Sequence, residues 1–228
     1  MKISILTLFP EMFNGPFEHS IIKNAKSQNK VSINFINIRD FGIGRHRIVD
    51  DKPYGGGIGM ILRVDVLEKA IAQAKGENPD TSGQKIILLS PHGKTFNQKK
   101  AQELSNLKHL ILVCGRYEGV DERVKKFIDE ELSLGDFIVT GGEIPAMAVT
   151  DAIIRFIDGV LKKGVVTSES FSPYLEYPQY TKPNTYKNLN VPSVLLKGNH
   201  GKIKEWREKM SLETTIKLRP DLLNVKTD

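Results

Sequence analysis

The chain has 228 residues, of which 39% are hydrophobic and 26% charged, and its 33 Lys and Arg exceed its 27 Asp and Glu by six. These proportions are typical of a globular protein, and the length is sufficient for a hydrophobic core without disulfides or a structural metal. The single cysteine, Cys114, excludes an internal disulfide framework, and the five histidines lack metal-ligand spacing. No apolar run approaches the roughly 18 residues of a membrane span. We therefore expect a protein of a reducing, cytoplasmic compartment that does not associate with membranes.

The basic charge is concentrated in the last quarter of the sequence. From Ser172 onward, ten Lys and Arg stand against six Asp and Glu, which gives +4 of the net +6. Such a segment can be a solvated helical surface or can contact nucleic-acid phosphates. Charge alone favours the solvated surface.

Apolar segments of strand length alternate with segments of helical periodicity in the first part of the chain. The predicted strands are residues 3–8, 31–38, 86–89, 110–113 and 137–139. The predicted helices are residues 17–25, 64–74, 98–104 and 146–157. This alternation predicts an α/β fold with a mainly parallel sheet and helices on both faces. Because ligands of such sheets bind beyond the carboxyl ends of the strands, the loops after Leu89, Val113 and Val139 form the candidate site.

The periodicity ends near Gly159. Residues 160–186 show no sustained period and collect Ser, Thr, Tyr and three prolines, which is typical of a linker. We expect an α/β domain at 1–158, a flexible linker at 159–172 and a small helical domain at 173–228. In that last domain, residues 201–210 predict a charged helix, and Ser211 could open another before Pro220.

Glycine-containing loops follow three of the predicted strands. Residues 88–93 predict a sharp turn, which either presents amide groups to a ligand or is an ordinary surface turn. Residues 113–121 place Arg, Tyr and Glu between two glycines, which favours a site over an incidental charged pair, and Asp121 is a candidate helix cap. Cys114 ends an apolar strand and is expected to be a small buried hydrophobe.

The third loop, at residues 133–145, has a Gly-Gly pair before a helix, as in an anion site. Its spacing is neither a Walker A loop nor a dinucleotide fingerprint, so those two kinds of phosphate site are disfavoured. A long segment at residues 44–60 combines a basic cluster, an acidic pair and five glycines. Its length and composition favour a functional loop.

Six motifs in this order resemble the bacterial tRNA (guanine-N1)-methyltransferases of the SPOUT class: GRHRIVDDKPYGGGIGM, LSPHG, VCGRYEGVDERV, SLGDFIVTGGEIPAM, ESF…YPQYTKP and VLLKGNH. The resemblance extends from Ile3 to about Leu223. It implies an α/β domain with a deep trefoil knot near its C-terminal end, which binds S-adenosylmethionine. It also implies a homodimer whose active site is shared between the knotted domain of one subunit and the C-terminal domain of the other. The implied substrate is guanosine 37 of tRNA, beside the anticodon and preceded by another guanosine.

The resemblance also implies roles for individual residues. The expected cofactor pocket consists of Leu88, Ser90, Pro91, Gly93, Gly115, Tyr117, Leu134, Gly135, Asp136, Phe137, Ile138, Val139, Gly141, Gly142 and Pro145. The expected contacts with the guanosine and the anticodon stem-loop come from Arg45, His46, Asp50, Tyr54, Arg116 and Glu118, and those with phosphates from Lys197, His200, Lys202, Lys204, Arg207 and Lys209. The resemblance also implies that activity needs Mg²⁺, but the sequence contains no ligand cluster that identifies a metal site. A carboxylate such as Asp50 could take part, or Mg²⁺ could act through the RNA.

Guanine N1 carries a proton and is a poor nucleophile, so methyl transfer needs a general base at N1 and a cation near O6. By resemblance the cation is Arg155, although Asp151, four residues earlier, would also allow an ordinary helical ion pair. The base position holds Glu169, where the family pattern has Asp. The additional methylene can move the proton acceptor by about 1 Å, which matters in a positioned site.

Two other functions would fit parts of this pattern. A SPOUT methyltransferase with another RNA target would keep the cofactor loops and lose the guanosine-specific residues. A noncatalytic RNA-binding protein would explain why the position of the general base holds Glu169 where the family pattern has Asp. The intact glycine loops argue against this second alternative.

Overall fold

The computed structural model describes residues 1–76 and 81–224. The chain divides into two compact units, Met1–Leu161 and Lys162–Asp228. The first unit contains the strand-rich part of the sequence. The boundary lies within the segment 159–172, whose expected flexibility stays a prediction.

In the described part of the first unit, five strands form one parallel sheet. These strands are β1 (Lys2–Thr7), β2 (Ser32–Asn37), β5 (Gln84–Thr95), β6 (His109–Cys114) and β7 (Glu130–Ser133), and the order across the sheet is β2-β1-β6-β5-β7. The short strands β3 (Asp50–Asp51) and β4 (Ile61–Leu62) form a separate antiparallel pair. The central strand β6 is a nearly continuous run of Leu, Ile and Val, and its neighbour β1 is buried from Ile3 to Thr7, as expected where both faces of a parallel sheet are covered.

Helices cover both faces of the sheet, as the sequence predicts. They are α1 (Ser20–Ser27), α2 (Val64–Lys75), α3 (Gln98–Ser105) and α4 (Glu143–Ile154). Side chains alternate along each strand, so Leu110 and Leu112 pack with α1, α3 and α4, whereas Ile111 and Val113 pack with α2. The mainly parallel α/β fold predicted from the sequence is therefore confirmed.

One predicted strand is wrong. Residues 137–139 are irregular, and Phe137 and Ile138 are 59% and 82% exposed. The last strand of the sheet is instead β7, which precedes this apolar triplet. Helix α4 correspondingly begins at Glu143, three residues before the predicted start.

Strand β5 is longer than the predicted 86–89 because it bulges out of the sheet and then returns. Leu132 of β7 pairs with both Leu89 and Lys94, so residues 90–93 have no counterpart on β7. A 3₁₀ helix, Glu122–Phe127, follows β6, and its first amides are capped by Asp121, which accepts a hydrogen bond from Arg123 N at 2.9 Å. The predicted cap is confirmed.

The described part of the second unit contains three α-helices, α5 (Val165–Ser168), α6 (Ser193–Leu196) and α7 (His200–Leu218), and a 3₁₀ helix, Pro220–Asn224. It also contains the hairpin of β8 (Thr185–Tyr186) and β9 (Leu189–Asn190). The separate helix predicted to start at Ser211 is wrong, because Ser211 lies inside α7. Its hydroxyl donates to Leu175 O at 2.6 Å, and the buried Thr215 accepts from Leu175 N at 2.9 Å. These two residues hold the chain around Leu175 against α7. No helix in the described part of the chain is long and apolar enough to cross a bilayer.

The buried His109 predicts a pH-dependent stability. Its ring lies between Ser4 Oγ, 2.9 Å from Nε2, and Gln84 Nε2, 2.9 Å from Nδ1. Burial, with a smaller contribution from the Lys2 charge, lowers its pKa from 6.5 to about 4. Between these values the unfolded chain binds a proton that the folded protein excludes, so the free energy of unfolding is expected to fall by about 3 kcal/mol from pH 7 to pH 4.

Urea unfolding of the wild type and of His109→Gln at a series of pH values tests this expectation. The substitution removes the titrating ring, so its stability is expected to vary less with pH in this window. An equal loss of stability in the two proteins would assign the acid sensitivity to other groups.

Candidate functional site

A cavity of about 350 Å³ lies beside the bulge of β5 and the carboxyl ends of β6 and β7. Three loops form its walls: the bulge of β5, the turn after β6 and the irregular segment between β7 and α4. Most of the residues expected to bind the cofactor line it, namely Leu88, Ser90, Pro91, Gly115, Tyr117, Leu134, Gly135, Phe137, Ile138, Val139, Gly141, Gly142 and Pro145. The fold thus brings together three loops that are separated in the sequence.

Two residues of the same expected set, Gly93 and Asp136, lie outside the described cavity wall. The side chain of Asp136 is exposed. Gly93 is where β5 returns to β7, and a Cβ there would overlap the backbone of Glu131 and Leu132, with Leu132 Cα only 2.5 Å away. Gly93 therefore allows the two strands to pair closely behind the bulge.

The Gly-Gly turn joins the wall of the cavity to the first turn of α4. Gly142 N donates to Gly115 O at 2.8 Å. A Cβ on Gly142 would lie 2.6 Å from Cys114 Cα, so this position brings the end of β6 and the start of α4 into backbone contact. Cys114 is fully buried, and burial raises the pKa of its thiol, helped by the negative charge of Glu143. The prediction of a small buried hydrophobe is confirmed.

Sequence reasoning did not identify several residues of the cavity wall. They are Leu89, His92, Gly119, Val120, Glu122, Lys125, Glu131, Leu132, Ser133 and Thr140. Most of them lie within or beside the quoted motifs, next to residues with an expected role, and this position in the sequence was the available signal. Glu131 of β7 lies outside the quoted motifs, and only the folded sheet brings it close to the 3₁₀ helix.

The charge of the wall does not suit a phosphate ligand. Three carboxylates, Glu118, Glu122 and Glu131, line the cavity. The ammonium of Lys125 lies 2.8 Å from Glu122 Oε1 and 3.2 Å from Glu131 Oε2, and Arg116 is paired with Glu143. The exposed backbone and acidic side chains suit a ligand that has positive charge and no phosphate.

The residues expected to contact RNA fall into three places. Glu118 lines the cavity and is joined to the 44–60 segment, because its N donates to Met60 O at 3.1 Å. In that segment Arg45, His46 and Tyr54 are exposed, whereas Asp50 is half-buried in β3. In the second unit, the basic side chains are exposed on α7 and the turn before it, at Lys197, His200, Lys202, Lys204, Arg207 and Lys209.

Arg116 differs from the other residues of that set because its guanidinium is held inside the first unit. Its Nη1 donates to Thr140 O at 2.9 Å, and its Nε lies 3.2 Å from Glu143 Oε2. The guanidinium carbon lies 4.6 Å from the centre of the Phe9 ring. These contacts hold the arginine against the Gly-Gly turn.

The two candidate catalytic residues are on different units. Arg155 directly follows α4, whereas Gly142 at the other end of that helix lines the cavity. At 1.5 Å of rise per residue, these two positions are about 20 Å apart along the helix axis. Glu169 directly follows α5 and is half-buried. Its neighbour Ser170 accepts a hydrogen bond from Glu176 N at 3.0 Å, which fixes the backbone of this loop.

Within residues 1–76 and 81–224, no group of three or more His, Cys, Asp or Glu side chains is arranged to hold a metal ion. The half-buried Asp50 pairs through its backbone with Leu62 in the β3–β4 ladder. The structure thus assigns no residue to Mg²⁺.

Known proteins are similar to this chain over nearly its whole length. The family model for "tRNA (Guanine-1)-methyltransferase TrmD" matches residues 1–225. The tRNA (guanine-N(1)-)-methyltransferase of Carboxydothermus hydrogenoformans is 54% identical, over 99% of this chain and 88% of that protein. Those of Syntrophomonas wolfei and Dictyoglomus turgidum are 54% and 51% identical, each over 98% of this chain and 90% of the relative. The chain belongs to the tRNA (guanine-N1)-methyltransferase family.

Proposed function

We propose that this protein transfers a methyl group from S-adenosylmethionine to N1 of guanosine 37 of tRNA, next to the anticodon. The observation that carries the proposal is the cavity beside the bulge of β5 and the carboxyl ends of β6 and β7, which is lined by most of the residues expected to bind the cofactor. Membership of the family supports the same activity.

The cavity wall fits S-adenosylmethionine. Its glycine turns expose backbone groups that can hold the adenine, and Leu88, Ile138 and Pro145 offer apolar surface to flank it. The carboxylates of Glu118 and Glu131 favour a positively charged ligand over an anion. When bound, S-adenosylmethionine supplies a methyl group that is electrophilic because it is attached to a sulfonium.

The chain's own residues have to make guanine N1 nucleophilic. We assign the removal of the N1 proton to the Glu169 carboxylate. The Arg155 guanidinium then stabilises the negative charge that develops on O6. Glu in place of Asp keeps the carboxylate that this role needs.

We propose that the active site is completed by a second copy of the chain. Within one copy, Arg155 lies at the opposite end of α4 from the cavity turn, about 20 Å away along the helix. A homodimer in which each cavity receives residues from its partner would bring the groups together. Such a dimer, the trefoil knot and the helical tRNA-binding domain are the arrangement that the family resemblance implies.

We infer the RNA contacts from the exposed basic and aromatic side chains. The exposed basic residues of α7 would bind phosphates of the anticodon stem-loop. The 44–60 segment, with exposed Arg45, His46 and Tyr54, would contact the loop near the target base. Mg²⁺, which the resemblance implies for activity, has no assigned residues here, and no step of the mechanism is assigned to it.

Methyl transfer from labelled S-adenosylmethionine tests the function. One tRNA transcript carries guanosine at positions 36 and 37, and a matched transcript carries adenosine at 37. We expect labelling of the first transcript alone, together with S-adenosylmethionine binding measured by calorimetry. Binding without labelling would favour a SPOUT enzyme with another RNA target, and RNA binding without cofactor affinity would favour a noncatalytic protein.

A further inference from the structure

Glu143 is a buried carboxylate for which the proposed mechanism gives no role. It is the first residue of α4, and its side chain is 1% exposed. Thr7 Oγ1 donates to Glu143 Oε1 at 2.8 Å. Burying a carboxylate costs several kcal/mol unless it is paired, so this position requires a compensating partner.

Arg116 is that partner. Its Nε lies 3.2 Å from Glu143 Oε2, and within the described part of the chain neither atom has an aligned hydrogen bond. The position of the guanidinium is fixed by Thr140 O at 2.9 Å, by Met12 Sδ at 3.5 Å and by the Phe9 ring. The pair therefore acts through charge and position, with the arginine held by several groups at once.

The pair fills the space directly behind the Gly-Gly turn. A Cβ on Gly141 would lie 2.5 Å from both Arg116 Nε and Glu143 Oε2. Arg116 also binds the carbonyl of Thr140, and Thr140, Gly141 and Gly142 all line the cavity. A shift of either charged side chain would thus move this wall.

We infer that Glu143 is a positioning residue which, through Arg116, holds the turn 140–142 in the shape that binds S-adenosylmethionine. This inference rests on the proposed function, because that function assigns the cavity to this cofactor. It also gives Arg116 a role different from the RNA contact expected from the sequence.

The test compares Glu143→Gln, Arg116→Met and the double variant with the wild type. Glutamine keeps the size of the side chain and its acceptor for Thr7 but removes the charge. We expect each single variant to raise the Kd for S-adenosylmethionine about tenfold, and the double variant to raise it by about the same factor, because both changes break one interaction. In Glu143→Gln, the KM for tRNA and kcat at saturating S-adenosylmethionine are expected to stay within about twofold.

Glu18→Gln is the matched control. It removes the carboxylate of an exposed ion pair with Lys26, at 2.7 Å, and is expected to leave the Kd unchanged. Arg116→Lys retains a cation and is expected to recover part of the affinity. If Glu143→Gln does not fold, Glu143→Asp decides the test, because it keeps the charge but draws it back from Arg116, whereas Arg116 itself lines the cavity and could contact the ligand directly.

Two results would overturn the inference. A folded Glu143→Gln protein with an unchanged Kd and a lower Tm would show that the pair only stabilises the fold. If Arg116→Met raised the KM for tRNA and left the Kd for S-adenosylmethionine unchanged, the result would support the RNA contact that the sequence predicts for Arg116. The proposed function can fail without affecting this test. A wild type that binds S-adenosylmethionine but does not methylate guanosine 37 would contradict the proposed function, and the Kd values of the variants could still be compared.

Discussion

Replacing Glu169 with Gln is expected to lower kcat for methyl transfer by about 10²- to 10⁴-fold, the usual contribution of a general base. Glutamine occupies the same space but cannot accept the N1 proton, so guanine stays a poor nucleophile. The Kd for S-adenosylmethionine is expected to stay within about twofold, since Glu169 does not belong to the described cavity wall. Single-turnover methylation with saturating tRNA and cofactor measures the chemical step.

Glu169→Asp and Glu176→Gln are the matched controls for this prediction. Aspartate keeps the carboxylate and restores the residue of the family pattern, so it is expected to retain activity. Glu176 is an acid of the same unit, bonded to the amide of Gln179, and its loss is expected to leave kcat unchanged. Full activity in Glu169→Gln would require another proton acceptor.

Replacing Gly93 with Ala is expected to destabilise the protein by about 3 kcal/mol, at the upper end of the usual cost of overpacking. The new methyl group would overlap the backbone of Glu131 and Leu132, which has no rotamer through which to move away. Strands β5 and β7 would have to separate where β5 returns from its bulge. Thermal unfolding is expected to show a Tm lower by roughly 10 °C, accompanied by weaker binding of S-adenosylmethionine.

Gly115→Ala provides the comparison. This glycine lies in the cavity wall, and a Cβ there would meet Leu89 O at 3.5 Å and Val120 Cγ1 at 3.8 Å, which are ordinary contacts. Its Tm is expected to match the wild type even if the methyl group hinders the cofactor. A Gly93→Ala protein with unchanged Tm and weaker cofactor binding would instead place Gly93 in the cofactor site.

Hydrophobic patterning predicts the interior of this sheet well and its edge poorly. The strands at 86–89 and 110–113 are recognisable because they are buried on both faces and consist of Ile, Leu and Val. Strand β7 lies at an edge and includes Glu130 and Glu131, so its sequence lacks an apolar run. The apolar triplet 137–139 has the composition of a strand but has no pairing partner, and such pairing is a tertiary property.

For the candidate site, too, the sequence predicts some features and not others. The sheet architecture predicts that the segments after Leu89 and Val113 meet, and the glycines identify them as places of close backbone approach. The orientation of a charged side chain cannot be read from its motif. Arg116 therefore suggested an RNA contact although it pairs with Glu143, a residue to which the sequence assigned no role. Arg155 and Glu169 were identified only by resemblance, since their residue types alone favour an ion pair and a solvated acid.

Identification of the methylated nucleoside tests the central claim most directly. A tRNA transcript with guanosines at 36 and 37 is incubated with the wild type and S-adenosylmethionine, digested to nucleosides and separated by chromatography with mass detection. The account predicts 1-methylguanosine, formed from guanosine 37 and absent when that position is adenosine. A methylated ribose, another methylated base, or 1-methylguanosine from a different position would contradict it.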